Sequence, residues 1–414
     1  MDVKHTLRYT AALAALLASA SLAHADCGIE KGSVRILSND FLALQLVSAA
    51  ATACASDTVT VTSNLTAEHK NIQVPALSTN PSSYTIAVVA NGSLVPLLND
   101  GLVRPMDDLV AKYGQQLQPN QLIKIDGKVM AIAFMANAQH LMYRKSVLDA
   151  AGIAEPKTYE DMVAAAVTLK EKGGIASPLV ANFKPGWDLG QEFVNMFSGY
   201  GGEFFEPGTA NLAINGEAGL KALAMMKAMA DTMAPEYMTY DTNSLDPVWT
   251  GSGAAMMNMW GSRASAIIDT AGAAPDVAAD TVLAAAPTVG GGTIPATTLW
   301  WDGFAMAKNI TDEDAEASFQ AMMAGIAPEV AAANPAAAAW LIKGYEPTPA
   351  AVGVFATVAA GAKPYPMLPY MGLLHTALGN NLAEFMQGQE SAEQALADVT
   401  TAYNTAATEA GFLK

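Results

Sequence analysis

Aromatic side chains set beside carboxylates, amides and glycines are the residues of this chain best suited to chemistry with a solute. Trp300-Trp301-Asp302-Gly303 places two indoles and a carboxylate in a row, and Trp260-Gly261-Ser262-Arg263 joins an indole to a helix start with free N–H groups and a cation. A sugar presents C–H bonds on its ring faces and hydroxyls at its rim, so a site for it needs flat apolar platforms with donors and acceptors around them. Trp187 in the Lys184-Pro185-Gly186 loop, Tyr200, Trp249 and Tyr365 extend the aromatic set, and Asn39-Asp40 and Asn91-Gly92 add polar groups. Each has a plainer reading: core packing for Trp249 and for one or both of Trp300 and Trp301, and a helix N-cap for Asn39-Asp40. A strand alternates its faces, so only one of Trp300 and Trp301 can point into a given cleft. Arg263 decides the sign of the ligand: facing a cleft it favours an acidic or phosphorylated sugar, and paired with a surface acid it favours nothing.

Catalytic patterns are missing. The sequence has no G-x-S-x-G, no H-E-x-x-H and no phosphate-cradling glycine loop, and beyond residue 25 its histidines are only His69, His140 and His375, far apart in sequence. Asp241-Thr242-Asn243 with Asp246 has the start of a calcium loop, but the sixth position is Asp246 where glycine is needed and the twelfth is Ser252 where glutamate is needed. The expectation is no metal and no cofactor. For an enzyme, Asp40 and Asp302 are the only carboxylates that could be nominated as an acid–base pair.

The elements that must position these residues follow from periodicity. At 414 residues, 51% hydrophobic and 15% charged, the chain can bury large cores and is too long for one ordinary domain. Strands are expected at 33–38, 59–62, 84–90, 177–181 and 299–307, and helices at 41–53, 67–77, 159–172 and 189–199. Strands alternating with helices mean an α/β fold with parallel sheet. Capping boxes are expected at Ser146/Asp149, Thr158/Asp161, Thr311/Asp314 and Ser391/Gln394, with Gly152 as a helix C-cap.

Residues 1–25 have the form of a secretory signal: Lys4 and Arg8, an apolar core over 11–22, and Ala23-His24-Ala25 before the cut. Removing them moves the net charge from −17 to −18, which argues against nucleic acid and anionic membrane surfaces as partners. Cys27 and Cys54 are then the only cysteines, and an exported setting favours a disulfide between them.

The order of motifs carries a resemblance. Asp126-Gly127-Lys128, an alternating strand, Tyr143-Arg144-Lys145, Ala151-Gly152-Ile153 and Pro156-Lys157-Thr158-Tyr159-Glu160 resemble, in sequence order, the crossover region of sugar-type periplasmic solute-binding proteins (extracellular solute-binding family 1). Asp100-Gly101-Leu102-Val103-Arg104-Pro105-Met106-Asp107-Asp108-Leu109, Gly201-Gly202-Glu203-Phe204-Phe205, the 251–259 segment and the closing helices 377–388 and 391–403 are similar to further family segments. The resemblance is thinnest at 27–80 and 325–370.

The resemblance implies a two-lobed α/β periplasmic binding protein fold (type II), each lobe a mainly parallel sheet flanked by helices, with about three crossovers. Lobe one would be 27–134 plus 297–340 and lobe two 135–296 plus 341–414, with Gly290-Gly291-Gly292 as a flexible crossover. It implies a periplasmic monomer that traps a sugar-like solute and hands it to the permease subunits of an ABC importer, or presents it to a sensor. The ligand set would be Asn39, Asp40, Asn91, Trp187, Tyr200, Trp249, Trp260, Gly261, Arg263, Trp300, Trp301, Asp302 and Tyr365.

Overall fold

The computed structural model describes residues 27–173 and 175–414. The signal-sequence expectation for residues 1–25 falls outside them. Seven strands form the frame: β1 (Gly32–Ser38), β2 (Val59–Leu65), β3 (Ile86–Ala90), β4 (Lys128–Arg144), β5 (Leu179–Val180), β6 (Met256–Trp260) and β7 (Thr298–Ala307). Their order across the molecule is β2-β1-β3-β7-β4-β6-β5.

β4 divides this frame into two sheets. Its first part pairs with β7 as far as Ala138, opposite Leu299, and from Gln139, opposite Trp260, it pairs with β6. The change of sheet thus falls between Ala138 and Gln139, a few residues beyond the expected lobe boundary at 134. The parallel pairs are β1 with β2, β1 with β3, and β5 with β6, together with the short strand Lys363–Pro364 on β7. Contacts of β4 and β7 with the other long strands are antiparallel, so the sheets are mixed where mainly parallel ones were expected. A strand that passes from one lobe to the other cannot be part of a repeating strand–helix–strand unit, and the rule for parallel sheets stops there.

Helices flank both sheets. Those that matter for the site are α1 (His69–Leu77), α2 (Asn91–Asn99), α3 (Trp187–Gly199), α4 (Val352–Ala359) and α5 (Met371–Asn381). The first core includes Val34, Ile36, Val88, Ile132, Phe134, Phe304 and Phe319, and the second Leu141, Met142, Phe183, Phe193, Met256 and Leu378. Cys27 and Cys54 are joined, fastening the chain ahead of β1 to the end of the helix Leu42–Thr52. Thr158, Thr311 and Ser391 cap as expected, each hydroxyl accepting an N–H three residues on. Ser146 does not: its N–H and hydroxyl both donate to Asp280.

Gly290 and Gly291 have positive φ, but the Gly290 N–H donates to Glu160 and the turn packs on Tyr200. This is a braced turn of the second lobe and not a free crossover.

Candidate functional site

The site forms where β7 leaves the crossing strand. A bulge between Asp302 and Gly303 interrupts the register of β7 on β4, and a Cβ on Gly303 would lie 2.3 Å from the Ile132 carbonyl. Bulges re-aim side chains beside sites. Here Trp300 turns into the second core cluster with Tyr365, while Trp301 packs on the opposite face near Met367.

Trp187 reaches the same point from the other lobe. Gly186 at φ +105° donates its N–H to the Gly379 carbonyl at 2.9 Å, seating α5 against the start of α3. That contact brings His375 flat onto Trp187, with centroids 5.0 Å apart and planes 19° off parallel. Trp260 and Trp300 close the sides at 6.0 and 5.7 Å from Trp187, and Tyr365 lies 4.2 Å from Trp300. The fourth side is Lys70, from the first turn of α1, whose ammonium stands 4.3 Å from the Trp187 ring centroid. Lys70, Gln73 and Gly92 from the first lobe and Trp187, His375 and Thr376 from the second border a cavity of about 140 Å³. A second, wider cavity of about 450 Å³ lies across Trp300 and Tyr365, bounded by Asn91, Trp301, Pro364 and Met367.

Hydrogen bonds fix the box. The His375 Nε2–H donates to the Trp187 carbonyl at 2.9 Å, so Nδ1 must accept, and the Tyr365 hydroxyl donates to it at 3.0 Å. Burial holds His375 down to about 4, so it is neutral at pH 7. The Trp300 indole N–H donates to Thr298 Oγ1 at 3.0 Å, and Thr298 belongs to a buried network with Gln191 and Asn195 of α3. Asn195 donates in turn to Gln139 of the crossing strand, which donates to Glu192. Glu192 is 1% exposed and pushed up by burial to about 8, against the hydrogen bonds from Gln139 and Asn182.

The charges of the box are coupled. Burial pushes Asp302 up to about 7, opposed by the attraction of Lys70. Asp188 rises to about 6, first through burial and then through Asp241. Lys70 keeps a wet flank at the cleft mouth, yet crowding by protein lowers its pKa, and Asp302 and then Asp188 pull it back up.

Of the residues expected at a site, Trp187, Trp260, Trp300, Asp302 and Tyr365 come together, and five others require correction. Trp249 is fully buried and its N–H is spent on Thr281, so it is core. Tyr200 sits at the far end of α3 from Trp187, about 20 Å along a helix of that length, with its ring on Gly290. Arg263 pairs with Asn243 and Asp246 and is removed from the box, which withdraws the argument for an anionic sugar. Gly261 packs against Val354, and the next N–H, of Ser262, is already taken by Asn137 at 3.1 Å. Asn91 is buried and spends its amide on β7, accepting from Trp301 N–H at 2.9 Å. It positions the tryptophans.

Trp301 borders the wider cavity, and Asn39 and Asp40 lie at the carboxyl edge of β1, where Asp40 accepts from Gln45. The calcium-like loop is engaged otherwise, Asp241 with Lys184 and Asp246 with Arg263. Lys70, Asp188 and His375 were not foreseen. Lys70 lies in the stretch where motifs are thinnest, and His375 meets Trp187 across 188 residues of sequence.

Two α/β lobes on one crossing strand, with an aromatic cleft between them, define a solute-binding protein fold. The chain belongs to the bacterial extracellular solute-binding protein family, whose pattern matches residues 66–325. Among solved structures it is similar to an ABC transporter solute-binding protein of Agrobacterium radiobacter K84 in complex with ribitol (TM-score 0.76, 19% identity, 91% of this chain and 98% of that one). It is similar also to one from Agrobacterium vitis S4 with bound D-mannitol (TM-score 0.74, 17% identity, 92% and 100%) and to maltose-bound MalE3 of T. maritima (TM-score 0.76, 16% identity, 90% and 99%). An uncharacterized ABC transporter extracellular-binding protein of Pyrococcus horikoshii is 33% identical over 81 residues, a match spanning 19% of either chain.

Proposed function

We propose that this protein is the substrate-binding component of an ABC importer, working outside the cytoplasm and capturing a sugar or polyol between its lobes for delivery to a membrane permease. The observation that carries this reading is the aromatic box made from both lobes, with Lys70 of α1 lying over Trp187 of α3. A solute there touches both lobes only when they are together, and that difference in contact drives closure. The 140 Å³ cavity is small beside the roughly 300–1,000 Å³ of drug-sized ligand sites, which favours a compact solute such as a single ring or a linear polyol.

Three of the chain's six tryptophans stand in the box, so their fluorescence reports occupancy. Titration with ribitol, D-mannitol, glucose and maltose is expected to give saturable change with a compact member of the set. Trp187→Ala is expected to abolish it while leaving the protein folded by circular dichroism. Absence of saturable change with every solute would overturn the reading.

A further inference from the structure

The box is richer in groups that attract positive charge than a neutral sugar requires. One face of Trp187 is covered by His375, so a solute can lie only on the face over which the Lys70 ammonium now stands. Ring faces attract cations, and here one already occupies that place. Asp302 and then Asp188 attract Lys70, and while Asp188 is shared with Lys184, Lys70 is the one cation that acts on Asp302 among the described residues.

The Asp302 carboxylate accepts no hydrogen bond from any of the described residues. Two donors of the box are already spent, the Tyr365 hydroxyl on His375 and the Trp300 N–H on Thr298, while the indole N–H groups of Trp187 and Trp260 donate to none of the described residues. The open face of Trp187 and the Asp302 oxygens complement a cation that also donates hydrogen bonds, and the two indole N–H groups suit hydroxyl oxygens on the same solute. Lys70 itself makes no ion pair within 4 Å among the described residues and is held on a flexible stem with a water-exposed flank. It can swing out to the cleft mouth.

We propose that the solute of this site carries a basic nitrogen, as an amino sugar or amino polyol does, and that its ammonium takes the place over Trp187 and beside Asp302 that Lys70 holds in this structure. The inference rests on the reading of the cleft as a sugar or polyol site and narrows it. Lys70 would then be an internal competitor that a cation of the right shape displaces.

The test is calorimetric titration at pH 7 with matched pairs: 1-amino-1-deoxy-D-glucitol against D-glucitol, and D-glucosamine against D-glucose. The basic member of a pair is expected to bind about tenfold more tightly or better. Asp302→Asn, which keeps the shape of the side chain, is expected to erase that preference, and Lys70→Met to tighten binding of the basic member by removing its competitor. Thermal midpoints of both variants show that they fold. Equal or tighter binding of the neutral members overturns the cationic inference and leaves the sugar reading standing. Weaker binding of the basic member to Lys70→Met also overturns it, because Lys70 would then be a ligand contact. No binding of any of the four at millimolar concentration overturns the cationic inference; if ribitol, D-mannitol and maltose are silent as well, the sugar reading falls with it.

Discussion

Replacing Glu192 by glutamine should make this protein more stable, and increasingly so as the pH rises. Glu192 lies beneath the box on α3, 1% exposed, accepting hydrogen bonds from Gln139 at 3.0 Å and Asn182 at 3.3 Å through one carboxyl oxygen. Glutamine keeps an oxygen there for both donors. In the fold the carboxyl holds its proton up to about pH 8, whereas the unfolded chain releases it near the ordinary glutamate value of 4.5. Unfolding between these limits therefore releases a proton, and the stability contributed by the neutral form is lost as pH rises through the window. At 1.36 kcal/mol per pH unit, the whole window is worth about 5 kcal/mol.

The assay is urea unfolding of wild type and Glu192→Gln at pH 5, 6, 7 and 8. The difference should be small at pH 5 and should grow in favour of the variant to several kcal/mol at pH 8. His69, His140 and His375, held down to about 4 by burial, contribute stability that is lost as pH falls from 6.5 toward 4. That opposite trend is common to both proteins and cancels in the difference. A difference that stays flat with pH would show that Glu192 is ionised in the fold, and the reasoning about its burial would fail.

Three further outcomes are expected. Exchanging both Cys27 and Cys54 for serine should cost about 3.5 kcal/mol by the loop-entropy relation for a separation of 27 residues, read as a lower denaturant midpoint. Gly379→Ala should destabilise by about 1–3 kcal/mol and also weaken solute binding, because its Cβ would lie 2.1 Å from the Gly186 carbonyl and push Trp187 away from His375; the thermal midpoint and the fluorescence titration read the two effects. Arg263→Ala should leave solute affinity within about twofold by calorimetry, since Arg263 is engaged with Asn243 and Asp246, and a surface pair of this kind is worth at most about 1 kcal/mol.

Much of the architecture is legible in sequence because it is local. The alternation after Asp126-Gly127, the Thr158/Asp161 and Thr311/Asp314 caps and the apolar run before Asn91 each fix an element from a few neighbouring residues. The box is legible in part. Trp300 and Trp301 could be recognised as a pair on a strand with opposite faces, but which one enters the cleft depends on the bulge at Asp302/Gly303 and on Asn91, placed by a strand over 200 residues away. Trp249 and Trp260 look alike in sequence; one is sealed in the core by the packing of Thr281, and the other is turned toward Trp187 by the strand that carries it. Lys70 offers no local pattern at all. Its role comes from a lobe-to-lobe approach that a one-dimensional reading cannot supply.

The crossing strand β4 has a consequence for how the molecule comes apart. Its residues Ile132, Phe134 and Met135 belong to one core and Leu141, Met142 and Tyr143 to the other, on a single uninterrupted strand. Neither lobe can melt without stripping partners from half of a strand that the other lobe needs whole. The two halves therefore share one cooperative transition, and damage to either core is felt as lost stability in both.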